Sequence, residues 1–154
     1  MGKMWRAILG VAVMAAVAAG CSGSSGTAPS TPQVMSVAGT WTGNVTALGA
    51  PALLQWTVTQ SGASVSGPAL VLLPTGTVLV NGTLTGTVSN LTFTYSIAIA
   101  AGGIPSLPLC TGQMDGSVSG TTIASTTLNG TLNLTTSTCP AAIAGAPISM
   151  VKTG

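Results

Sequence analysis

The chain reads as an all-β protein: an eight-stranded antiparallel up-and-down β-barrel that follows an N-terminal leader and a flexible linker. Three observations predict this. Apolar residues alternate with period two almost throughout 37–154, β-branched residues are abundant, and no stretch repeats at i, i+3, i+4, i+7. Tight polar turns alternate along the chain with other connections that are mostly longer and richer in Pro. The domain also has almost no Lys or Glu with which to guard a free sheet edge, so closing the sheet on itself is the favoured arrangement.

The leader comes first. Lys3 and Arg6 form a basic start, residues 7–19 are small and apolar without a break, and Ala18-Ala19-Gly20-Cys21 ends the stretch. Roughly a dozen apolar residues fall short of the ~20 that span a bilayer. Residues 1–20 resemble a bacterial lipoprotein signal peptide, cut before Cys21, whose thiol then carries diacylglycerol and holds the protein to a membrane. The competing reading is ordinary secretion with Cys21 unmodified. Ser22, where the Gram-negative sorting pattern would use Asp for retention, implies the outer membrane. Residues 21–36 continue with SGSSGTAPSTPQVMS after the Cys, a composition with nothing to bury and therefore a flexible linker. Residues 37–154 form one domain, long enough to fold alone.

Within it the alternation marks eight strands in order. The inward phases are Trp41/Gly43/Val45/Ala47, Leu54/Trp56/Val58, Val65/Gly67/Ala69/Val71 and Val78/Val80/Gly82/Leu84/Gly86/Val88. They continue with Leu91/Phe93/Tyr95/Ile97/Ile99, Cys110/Gly112/Met114/Gly116/Val118, Leu128/Gly130/Leu132/Leu134 and Ile148/Met150/Lys152. Thr, Ser, Asn and Gln fill most of the other phase. Connections 60–63, 89–90 and 119–122 are tight. Those at 48–52, 74–76, 101–108 and 135–147 are mostly longer. Alternate connections of a meander share one end, so the barrel has a closed end of tight turns and an open end of longer loops.

Gly39-Thr40-Trp41 at the start of the first strand resembles the Gly-x-Trp signature of the calycins, the lipocalin and avidin-like barrels. The resemblance implies that Trp41 plugs the closed end and that a basic residue of the last strand, here Lys152, packs over its ring. Such a cation–π contact contributes about 0.5–2 kcal/mol. The avidin branch would imply biotin, but Thr42-Gly43-Asn44-Val45-Thr46 lacks the Asn-then-Ser spacing of that site. The lipocalin branch implies an apolar cavity for a small hydrophobic ligand, with Trp56, Phe93 and Tyr95 as candidate lining residues. Small inward residues (Gly67, Ala69, Gly82, Gly86, Gly112, Gly116, Gly130) leave two readings open: room for that ligand, or a barrel that packs on itself.

Charge narrows the chemistry. Charged residues are 3% of the 154, against roughly 25% in an average soluble domain. There is no His, Asp115 is the only acidic side chain, and Lys3, Arg6 and Lys152 are the only basic ones. General acid–base pairs, triads and His-ligated metal sites therefore lack their residues, so no catalytic residue, metal or cofactor is expected. Nucleic acid is excluded for want of clustered Lys and Arg. With Cys21 lipidated, Cys110 and Cys139 remain as an even pair in an exported chain, expected as a disulfide worth about 3–4 kcal/mol; two free thiols are the alternative. Function then divides between a ligand-binding, lipid-anchored barrel and an envelope interaction module. The second would use the apolar open-end residues, among them Leu48, Pro51, Leu53, Ile104, Leu107 and Ile143.

Overall fold

Alternation with period two demands that one face of every strand be covered, and closure covers all eight at once. The computed structural model describes residues 33–154 apart from Leu48 and 139–145. The proposed signal, Cys21 and Cys139 lie outside the described residues. Strands β1 (Gly39–Ala47), β2 (Ala50–Ser61), β3 (Ser64–Leu72), β4 (Val78–Ser89), β5 (Thr92–Ile99), β6 (Gly112–Ser119), β7 (Thr127–Ser137) and β8 (Ala146–Lys152) follow in order. Each pairs antiparallel with the next, and β8 returns to β1 to close the barrel. The phases read from sequence are the phases observed except at Val78, which is exposed because the β3–β4 register shifts between Val71 and Leu72 and pairs Val78 with outward-facing Leu72. Leu54, Trp56 and Val58 are buried, for instance, while Thr57 and Thr59 between and beyond them are exposed.

The glycines of the inward phase bend the strands. A Cβ added at Gly43, Gly67, Gly86, Gly116 or Gly130 would collide with a carbonyl oxygen of the neighbouring strand: Ser149, Thr57, Thr94, Thr131 and Ser117 respectively. Small inward residues at these five positions therefore mark close backbone approach, the device that lets a strand coil into a narrow barrel.

Prolines set where pairing stops. Thr153 N donates to the Thr40 carbonyl at 2.8 Å, which fixes the parity of the β1–β8 ladder. Pairing runs as far as Asn44–Ser149. The next exchanging pair would be Thr46 with Pro147, and Pro has no N–H to give.

Three details differ from the sequence expectation. The connection expected at 48–52 is a two-residue hairpin turn, with Pro51 and Ala52 inside β2; Gly49, at φ 78°, supplies the backbone that so short a turn needs. The connection after β6 is longer than 119–122 and spans 120–126. Ser125 organises it: its hydroxyl accepts from the N–H of Thr121 (2.9 Å) and Thr122 (2.8 Å) and donates to the Thr122 carbonyl (2.9 Å). The packed domain also begins before Val37. Met35 is fully buried, and Ser36 donates its N–H to the Ile123 carbonyl at 2.8 Å. The physical reason lies in the phase: Met35 and Val37 continue the inward alternation of Gly39 and Trp41 backwards, so they are drawn under the barrel with it.

Candidate functional site

Any site inside this barrel is built from the aromatic residues that the sequence singled out, and the structure brings all three together. Trp56 of β2 lies across the barrel from Phe93 and Tyr95 of β5. The Trp56 and Tyr95 ring centroids are 4.7 Å apart at 63°, Trp56 and Phe93 are 6.3 Å apart at 86°, and Phe93 and Tyr95 are 5.6 Å apart at 39°. These are edge-on and tilted arrangements, the favoured ones for aromatic quadrupoles. Trp56 and Phe93 have no exposed surface, and Tyr95 has 3%. The cluster occupies the middle of the barrel with its own rings.

Two polar atoms enter this apolar interior. Tyr95 reaches past Gly116 to β7 and donates its hydroxyl to the Thr131 carbonyl at 2.9 Å. An added Cβ at Gly116 would stand 2.5 Å from that hydroxyl oxygen, so the glycine is the condition for the bond. Trp56 Nε1 is buried and has no hydrogen-bond partner among the described residues. A desolvated donor without a partner costs about 1–3 kcal/mol.

Burial pushes the Tyr95 phenol well above its ordinary value near 10. A raised folded-state pKa means stability that is fully present below about pH 10. Above it, stability falls by roughly 1.4 kcal/mol per pH unit, because only the unfolded chain releases the proton. Tyr95 is the only tyrosine, so tyrosinate absorbance in an alkaline titration is expected to rise together with loss of the native Trp fluorescence. A phenol that ionises while the fold persists would contradict its burial.

The floor lies at the closed end. Trp41 is fully buried and donates Nε1–H to the Val37 carbonyl at 2.8 Å. Lys152 is directly opposite Trp41 in the β1–β8 register, and its Nζ lies 5.6 Å from the centroid of the Trp41 ring. Lys152→Met is expected to lower stability by about 0.5–2 kcal/mol. Chemical denaturation compares the two proteins, and an unchanged midpoint would remove the cation from any structural account of the floor.

Residues that the sequence reading passed over complete this end. The Gln60 side-chain amide acts as a strand partner to the incoming chain: Nε2 donates to the Met35 carbonyl at 3.0 Å and Oε1 accepts from Val37 N at 2.7 Å. Met35 N donates to the Asn90 carbonyl at 2.9 Å. Gly120 makes room for the Met35 sulfur, which would stand 2.6 Å from an added Cβ. The signal for Met35 was present in the Val34-Met35-Ser36-Val37 alternation, masked by the polar tract before it.

At the open end, Cys110 is buried just ahead of β6, while Leu107 is 41% and Leu109 90% exposed on the long connection between β5 and β6. Ile104 packs against the core. Leu53 does not join this rim: it sits on β2 opposite Leu72, half-buried on the barrel's outer side. Asp115 is half-buried on the outside of β6. Hydrogen bonds from the hydroxyl of Thr135 (2.5 Å), from Gln113 Nε2 (2.9 Å) and from Ser96 hold its carboxyl below the ordinary range. Asp115 pairs with Ser96, next in sequence to Tyr95, but on the outward phase of the strand. Among the described residues no group of three or more His, Cys, Asp or Glu could hold a metal ion. No family model, no curated protein and no solved structure matches the chain.

Proposed function

We propose that the chain is a lipid-anchored lipoprotein of the bacterial cell envelope, held in the outer membrane through Cys21, and that its barrel is a non-catalytic scaffold presenting its open-end loops to another envelope component. The observation that carries the scaffold reading is the occupancy of the barrel: Trp56, Phe93 and Tyr95 pack on one another with almost no exposure. The inward glycines support it too, because they sit against neighbouring carbonyls rather than around an open volume. Leu109, the most exposed large apolar side chain among the described residues, stands with exposed Leu107 on the open-end connection. The anchor itself rests on the basic start, apolar run and Cys21 of the leader. Native mass spectrometry of the purified domain, with a fatty-acid panel added, tests the scaffold reading. The expected result is no co-purified lipid and no change in Trp fluorescence; retention of an apolar molecule would overturn it.

One observation favours a second reading, a lipocalin-like barrel with a small hydrophobic ligand. Trp56 Nε1 is a buried donor without a partner, and a guest bearing one neutral acceptor would satisfy it. On that reading Trp56→Phe, which keeps an aromatic ring and removes the N–H, weakens binding of an alkyl ketone or ester at least several-fold. Equal binding by both proteins would dismiss the donor.

The open end is further proposed to be stapled by a Cys110–Cys139 disulfide. Thr138 N donates to the Thr111 carbonyl at 2.9 Å, and Thr111 N donates to the Thr138 hydroxyl at 2.9 Å. Thr111 and Thr138 are the residues next in sequence to the two cysteines. Cys110 is itself buried. Two free thiols in non-reducing mass analysis would refute the pairing.

A further inference from the structure

The structure decides at which end of the barrel the chain enters, and it does so firmly. Residues 35–37 cross the floor bonded to the end of β2 and to the two connections that follow β4 and β6. Gln60, near the end of β2, clamps Met35 and Val37; Asn90, in the β4–β5 turn, accepts from Met35 N; Ile123, between β6 and β7, accepts from Ser36 N. Met35 and Val37 are buried at 0% and 1% exposure. The point at which the preceding chain leaves the domain is therefore a fixed feature of the fold.

Resting on the lipoprotein reading above, we infer that the anchor holds the closed end of the barrel toward the bilayer and so aims the open-end loops, with Leu107 and Leu109, away from the membrane. Tether length supports the bias. Thirteen peptide steps separate Cys21 from Val34; on the linker reading of their Gly-, Ser- and Pro-rich composition, a chain of that length has a resting span of about 20 Å. Strands of 7–12 residues, tilted as in a closed barrel, give the barrel a height on the order of 20–30 Å. For the open rim to touch the bilayer, the tether must run the height of the barrel, at or beyond its resting span though within its extended reach of about 45 Å. Charge favours the same orientation. Lys152, the only cation of residues 33–154, lies at the closed end beside Trp41, where an anionic leaflet attracts it. Asp115, the only acidic side chain, lies half-buried on the outer face of the barrel wall.

The inference implies that any partner of the open-end loops approaches from the aqueous side, rather than being a lipid or a protein embedded in the same leaflet. The full-length lipidated protein tests it in vesicles of phosphatidylethanolamine and phosphatidylglycerol containing a headgroup-labelled energy acceptor. Single donor dyes are placed through Ala63→Cys at the closed end and Thr75→Cys at the open end, both exposed turn positions. Transfer from position 63 is expected to exceed that from position 75 several-fold. Doubling the linker is expected to shrink the difference. Equal transfer, or the reverse order, would overturn the orientation while leaving the anchor intact. Cys21→Ser is expected to abolish both signals by releasing the protein; a Cys21→Ser protein that stays on the vesicles would instead overturn the lipoprotein reading itself.

Discussion

Gly116→Ala is expected to destabilise the barrel by about 3 kcal/mol, a large part of the stability of a domain this size. The added methyl meets the Thr131 carbonyl oxygen of β7, and it would stand 2.5 Å from the Tyr95 hydroxyl and 2.8 Å from the Tyr95 Cζ. A backbone carbonyl in a closed ladder cannot move aside without breaking its pairing with β6. Tyr95 would have to give up its bond to Thr131, leaving a buried phenol unsatisfied. Gly76→Ala is the control. It sits at φ 85° in the β3–β4 connection with nothing within 4 Å of an added Cβ, so it is expected to cost only about 1 kcal/mol of backbone strain. Urea denaturation of the three proteins gives the comparison. Equal losses for the two variants would mean that backbone conformation, not close strand approach, explains the inward glycines, and the barrel would then have room that it is not credited with here.

The second large effect concerns where the domain begins. A protein starting at Val37, the boundary suggested by composition, is expected to unfold at a lower temperature than one starting at Gln33, by the equivalent of about 3–5 kcal/mol. The shorter protein loses the fully buried Met35 side chain, a deletion that by itself costs about 2–5 kcal/mol in a packed core. It also leaves the Asn90 and Ile123 carbonyls without their donors. Met35→Ala in the longer protein separates the two contributions, because it removes the side chain and keeps both backbone bonds. Identical melting of the proteins starting at Gln33 and Val37 would show that residues 33–36 are a passive tail that fixes no exit point at the closed end.

Much of the fold was legible because the physics that builds it is local. Eight alternating segments separated by turn residues specify eight strands, and a chain poor in charge favours closing the sheet. The inward phases could be read directly: Trp41, Trp56, Phe93 and Tyr95 all face the core. The turns were less legible. Pro51 and Ala52 read as loop residues, yet they belong to β2, because Gly49 allows the chain to reverse in two residues. The 120–126 connection read as short because its length is hidden in Ser and Thr, which suit strands and turns alike until Ser125 commits its hydroxyl to the local backbone.

By itself, the sequence determined the strand count, nearly all of the inward phase and the want of histidine, because each depends on residue type and spacing along the chain. Only the tertiary structure decided what the small inward residues are for. Glycine at 116 or 130 is equally compatible with a cavity and with a carbonyl pressed against it, and the difference lies in the distance to Thr131 or Ser117 on a strand that the local sequence does not see. The role of Met35 and Gln60 was decided in the same way. A methionine at the end of a polar tract and a glutamine beside a turn become the barrel's floor only when closure brings a strand end and two turns around one incoming chain.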